Sequence, residues 1–166
     1  MSVYTKAPPH QLAEFLQHYS LGQLEQFAGI SDGIENSNYF VTTSKGEYVI
    51  TLFEQLSREE LPYFLELMAF LAEHRIPSAH PVADNHGQYL RGLNGGKPAA
   101  LVKRLNGASV DIPNRMQCAG IGKHMVRMHN ASKEFNLHRK MVRGPKWWKA
   151  TADNVMPCLE RRRLHY

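Results

Sequence analysis

The chain has 166 residues, with 20 Lys and Arg against 15 Asp and Glu for a net charge of +5, and it is 43% hydrophobic and 21% charged. That composition excludes disordered, collagen-like and coiled-coil classes, and the length suits one packed domain or two small lobes. No window approaches the roughly 20 apolar residues of a membrane span, and the opening MSVYTKAPPHQ lacks the apolar run of a secretion signal, so a cytoplasmic protein with no membrane partner is expected.

After Pro8-Pro9, the residues Leu12, Phe15, Leu16 and Tyr19 recur at helical spacing and predict a short amphipathic helix over 10–19, ending near Gly22. Leu24, Phe27 and Ile30 then read as a first strand leading into Ser31-Asp32-Gly33. Two β-branched and aromatic runs, 38–43 and 48–53, flank Ser44-Lys45-Gly46-Glu47 and predict a hairpin, because glycine accepts the positive φ of such turns. Ser57-Arg58-Glu59-Glu60 matches a capping box, so a helix is expected to start there, with Pro62 in its first turn. Leu61, Phe64, Leu65, Met68, Leu71 and Ala72 line one face of that helix as far as 74–77. Three short strands follow at 81–83, 88–91 and 99–103, separated by turn residues. From Pro113 the helical period returns as far as Ser132, where Gly120 and Gly122 suggest close approach of another backbone. The segment 139–166, with Trp147-Trp148 and Pro157, has no clean period.

Charge is concentrated at the C-terminal end. Residues 139–166 hold eight basic side chains against Asp153 and Glu160, a local +6, and everything before them carries −1. A solvated basic face is the plain reading, since no nucleic-acid recognition pattern accompanies it, and no nucleic-acid partner is expected. Cys118 and Cys158 fit neither a disulfide framework nor a zinc pair. Nine histidines form no HExxH, and His124 and His129 stand five apart, off the same-face spacing of four, so no metal site is expected. The run from Gly92 to Lys97 fails as a phosphate-binding P-loop: its first glycine is one residue too close, and Pro98 stands where a Ser or Thr would hold magnesium. Gly120-Ile121-Gly122 lacks the third glycine of a dinucleotide fingerprint.

The stretch Gly33-Ile34-Glu35-Asn36-Ser37-Asn38-Tyr39 is more informative. Its small and polar residues allow either a phosphate-binding nest of backbone amides or an ordinary Asn- and Gly-rich turn. Glu66 borders the apolar face of the capped helix, either as a solvated charge or as a group turned toward a partner.

The order helix, three strands, helix, returning strands and helical segment matches the small lobe of protein-kinase-like phosphotransferases. The segments GIENSNYFVTTSKGEYVITLFE (33–54), ELPYFLELMAFLAEHRIPSAHPV (60–82), GKPAALVKRLNGASVDIP (96–113) and GKHMVRMHNAS (122–132) closely resemble bacterial homoserine kinase, of the branch related to aminoglycoside phosphotransferases and choline kinases. The resemblance implies an α+β fold: a small lobe over 1–104, with an antiparallel sheet and one packed helix, then the incomplete beginning of a helical large lobe over 105–166. It implies transfer of the ATP γ-phosphoryl group to L-homoserine, with Mg2+, in threonine biosynthesis. Gly33, Glu35, Asn36, Ser37 and Asn38 would lie over the phosphates, and Glu66 would be the helix acid facing the site. Leu101, Val102, Lys103 and Arg104 would form the linker strand against adenine, and His129 would be structural. Thr51 stands where protein kinases carry the phosphate-pairing lysine. No H-x-D-x-x-x-x-N is present, so the general base and metal-binding carboxylates are expected beyond residue 166 and this chain is expected to be inactive alone. The alternative is a non-catalytic nucleotide-binding or interaction module on the same scaffold.

Overall fold

Five strands form one antiparallel sheet in the computed structural model, which describes residues 5–31, 35–93 and 95–163. In chain order they are β1 (Leu24–Ile30), β2 (Asn36–Thr43), β3 (Gly46–Phe53), β4 (Leu90–Leu93) and β5 (Lys97–Lys103), and across the sheet they run β1-β2-β3-β5-β4. The expected hairpin is β2–β3, pairing Asn36 with Phe53 through Thr43 with Gly46, whose φ of 147° is a conformation that a β-carbon disfavours. The period of two along β2 sorts its side chains. Ser37, Tyr39, Val41 and Thr43 are buried on one face, while Asn36, Asn38, Phe40 and Thr42 are half-buried on the other.

Helix α1 (Pro9–Leu16) covers the first of these faces. Its Leu12, Phe15 and Leu16 join Tyr39, Val41, Tyr48, Ile50, Leu52, Ala99 and Leu101 in one core, and each fully buried leucine there contributes roughly 2 kcal/mol. The opposite face is open over β1, β2 and β3, where its residues are exposed or half-buried, and closed over β5, where Ala100 and Val102 are buried. Helix α2 (Leu61–Glu73) buries Leu61, Leu65, Ala69 and Leu71. It starts later than the capping-box pattern implies, because the Ser57 hydroxyl bonds the Glu59 carboxylate, holding that acid below its usual range, instead of capping the helix. Half of the box survives, in the Ser57 N–H that donates to Glu60 Oε2 at 3.3 Å.

Two more expectations are corrected between α2 and β5. Residues 81–83 make no strand: Pro81 has no N–H to give, and a single bridge to Val102 remains, held by Val82 N donating to the Leu101 carbonyl at 2.8 Å and Lys103 N to the His80 carbonyl at 3.0 Å. The strand expected at 88–91 is displaced to β4 because Gln88 is used by a turn around Asp84, whose Oδ1 accepts from the N–H groups of His86 and Gln88 at 2.8 Å.

The chain divides into two compact units, Met1–Asn136 and Leu137–Tyr166. Helix α3 (Arg115–Ala131) ends the first unit and opens on a full capping box between Asn114 and Gln117. A short 3-10 turn, Ser132–Glu134, follows it, and Phe135 then packs on Phe70 and Tyr63 of α2 with ring centroids 5.2 and 5.8 Å away. Arg127 also donates to the Arg75 carbonyl at 2.8 Å. The backbone expected against Gly120 and Gly122 is not there: a β-carbon at either would meet nothing within 4 Å. The second unit contains α4 (Pro145–Arg163), a helix that the period of 139–166 did not reveal, with Pro157 inside it. No helix of the described residues is long and apolar enough to cross a membrane.

Candidate functional site

The strand register lays two rows of side chains across the open face. One row runs Ala28, Phe40, Val49, Val102, and the next, two residues nearer the start of β2, runs Ile30, Asn38, Thr51, Ala100. The first is apolar; the second carries its polar groups at the centre, where Thr51 Oγ1 donates to Asn38 Oδ1 at 2.8 Å. Thr51, in the place of a kinase lysine, therefore brings a hydroxyl and no charge.

Beyond the apolar row lies Arg104. Its guanidinium sits 4.3 Å from the centroid of the Phe40 ring, a cation–π distance, and Nη1 is 3.1 Å from Glu47 Oε1. Together with Gln26, Phe27, Ala28 and Thr42 these residues line a shallow cavity of about 240 Å³. A planar, mostly apolar ring with polar edges suits such a surface.

Other expected site residues are placed less simply. Gly33 lies outside the described residues. Glu35 is exposed, and Asn36 shares the open face with Asn38. Ser37 takes the opposite face. It is fully buried, its hydroxyl donating to Glu54 Oε1 at 2.6 Å and accepting from Thr5 N at 2.9 Å, so its side chain is committed away from the open side. In the linker strand Leu101 belongs to the α1-side core, and Val102 is turned to the other face, where it is buried. The Leu101 carbonyl, the Lys103 N–H and the Arg104 N–H are already bonded to Val82, His80 and the Glu47 carbonyl, so those three backbone groups have protein partners before any ligand arrives.

Glu66 is exposed on α2 and close enough to Tyr89 that its charge, with that of Glu73, adds to burial in pushing the Tyr89 phenol up from its ordinary range. His129 is exposed in the last turn of α3, its carbonyl accepting from Ser132 Oγ at 3.0 Å. Among the described residues, no three His, Cys, Asp or Glu side chains gather as metal ligands. The open face offers amide and hydroxyl groups in place of clustered carboxylates, so it does not fit a divalent cation by itself. Sequence reading missed Glu47, Glu54 and Lys97. The signal available for Glu54 and Lys97 was their position at strand ends in line with Ser37, which needs the register to be visible.

The sequence profile of the phosphotransferase enzyme family matches residues 26–166. The chain belongs to the phosphotransferase enzyme family. Two curated relatives, each called homoserine kinase, are 50% identical over 160 residues (Methylobacillus flagellatus) and 46% identical over 160 residues (Paraburkholderia xenovorans). Each alignment takes in 96% of this chain. The chain spans about half the length of these relatives, 50% and 48%. Among solved structures, an amicoumacin kinase in complex with AMP-PNP, Ca2+ and amicoumacin superposes with a TM-score of 0.64 at 18% identity, covering 79% of this chain and 42% of that one. A spectinomycin phosphotransferase in complex with ADP and spectinomycin gives 0.63 at 17% identity, covering 86% and 45%. At those identities the likeness bears on the fold, and the fold is the expected kinase-like α+β one.

Proposed function

We propose that residues 5–104 form the nucleotide-binding half of an ATP-dependent homoserine kinase, with the lobe boundary after Arg104. One observation carries this reading: the register puts an apolar row ending at the linker strand beside a polar row of Asn38 and Thr51 that lies nearer the start of β2. A nucleotide needs that order of surfaces, a flat apolar bed for the base and neutral hydrogen-bonding groups on the way to the phosphates. The adenine then rests on Phe40, Val49 and Val102, with Arg104 at the rim. Asn36 and Asn38 face the phosphates, with Glu35 just before them; the expected role of Gly33 lies outside the described residues. Glu66 serves the site from α2 as a solvated acid, since Thr51 gives it no lysine to pair with.

The relatives called homoserine kinase support homoserine as the acceptor, and threonine biosynthesis in the cytoplasm is proposed as its setting. Mg2+ enters as the ion that ATP carries, because the residues described here supply no ligand set for it. Phosphoryl transfer asks a protein chiefly to position groups and neutralise developing charge, and the sequence of this chain carries the positioning half without the H-x-D-x-x-x-x-N carboxylate.

The reading is tested with purified 1–166. Mg-ATP should displace a fluorescent ATP analogue, with GTP competing more weakly, while ADP release in the presence of homoserine stays at background. Turnover at an ordinary enzyme rate would refute the division of labour proposed here, and no displacement at millimolar Mg-ATP would refute the nucleotide site.

A further inference from the structure

At the end of the sheet where β2 begins, on the face turned away from the nucleotide rows, four distant parts of the chain meet in one polar knot. Glu54 is its centre. Oε1 accepts from the buried Ser37 hydroxyl at 2.6 Å, and Oε2 accepts from Thr5 Oγ1 at 3.1 Å and from Lys97 Nζ, which also donates to Thr5 Oγ1 at 2.6 Å. The Glu54 and Lys97 side chains are 13% and 31% exposed, so the pair is largely withdrawn from water. Residues just after Thr5 continue the lacing along β2. Ala7 N donates to the Tyr39 hydroxyl at 3.0 Å, and that hydroxyl donates to the Thr5 carbonyl at 2.8 Å.

Stability alone does not account for this arrangement. One pair farther along β2 the same face is closed by Tyr39 and Val41, and replacing a buried ion pair by apolar side chains is often neutral or stabilising. What the knot supplies is register. Successive residues of a strand point to opposite faces, so a slip of one residue would put Ser37 on the open face and turn Asn36 and Asn38 inward. A serine with a carboxylate partner waiting on one face favours a single solution, because the slipped state takes the Ser37 hydroxyl away from the part-buried Glu54 Oε1.

We propose that Glu54, paired with Lys97, is a positioning residue for the nucleotide: it grips Ser37 from behind the sheet and thereby holds Asn36 and Asn38 outward at the phosphate end of the site. This rests on the nucleotide reading above, and the experiment separates the two. In the 1–166 chain, Glu54→Gln and, as a milder change, Ser37→Ala should weaken Mg-ATP displacement of the fluorescent analogue about tenfold. Both should also speed amide exchange over residues 35–40 while leaving the β3–β5 amides protected. Leu12→Ala, in the α1 core on the same face but outside the knot, should cost at least as much in melting temperature yet change the ATP affinity by no more than about twofold, because it removes no bond to Ser37. Wild-type protein that binds Mg-ATP while both knot variants bind it equally well overturns the inference alone, as does Leu12→Ala weakening ATP as much as they do. Wild-type protein that does not bind Mg-ATP overturns the site reading and this inference with it.

Discussion

Single side chains divide here into those that hold the molecule and those that face its ligand, and Asp84 belongs to the first kind. Its carboxylate is fully buried and paired with Arg91, accepts the His86 and Gln88 N–H groups, and stands near the buried Tyr19, whose phenol is pushed up chiefly by burial and then by this charge. Burial opposes ionisation of Asp84, but those donors outweigh it and hold its pKa below the ordinary aspartate value. A carboxyl depressed on folding adds stability above its unfolded pKa, and that stability is lost as pH falls through the folded value. Asp84→Asn should therefore cost roughly 2 kcal/mol at pH 7, the worth of hydrogen bonds to a charged group, and the penalty should shrink on acidification below the ordinary aspartate range. Urea melts of both proteins at several pH values check this, and a penalty that does not vary with pH would count against the charge as its source. On the open face, Thr51→Val removes the donor to Asn38 while keeping the shape, and about 1 kcal/mol should be lost. A thermal melt reads the stability change, and the same protein in the ATP-displacement assay reads whether that pair also serves the ligand.

Elements built by strong local patterns were legible in the sequence, and those decided by competition between neighbours were not. The β2–β3 hairpin, α1 and β1 follow from alternation, helical period and a turn glycine, and each falls close to where those signals put it. The start of α2 does not follow from its capping-box pattern, because two acids, Glu59 and Glu60, compete for Ser57, while the complete capping box, at Asn114 and Gln117, has neither the Ser nor the Glu of that pattern. For the site, Asn38 and Thr51 were legible as types; that they touch, that Ser37 turns the other way, and that Glu54 and Lys97 stand behind it depend on long-range register that spacing cannot convey. Helix α3 yields predictions from its own local physics. Asn114→Ala should cost about 1 kcal/mol, read as faster amide exchange over the first turn of α3. Gly122→Ala should do the reverse: the site is open, the residue is inside the helix, and alanine is favoured over glycine by about 1 kcal/mol. A destabilised α3 in Gly122→Ala would mean that a backbone approaches that face after all.

On the scale of the whole molecule, burial is uneven in a way that predicts solution behaviour. The sheet and α1 form a closed core, but α3 buries no residue at all, and Ile121 and Met125, on the same side as Gly122, are 65% and 48% exposed. Nearby Ile112 and Met116 are 89% and 83% exposed. Apolar surface of this extent drives association, because each contact that removes it from water gains free energy in proportion to area and needs no specific geometry. The net charge of +5 opposes this through repulsion that salt screens. Self-association of 1–166 should therefore increase with protein concentration and with added salt, and Ile121→Lys with Met125→Lys should suppress it. Because both positions are exposed, the double variant should melt within about 0.5 kcal/mol of the wild type per site. Light scattering across a salt series, run beside thermal melts, checks both halves. Aggregation that weakens as salt rises would show that charge, and not the bare face of α3, brings the molecules together.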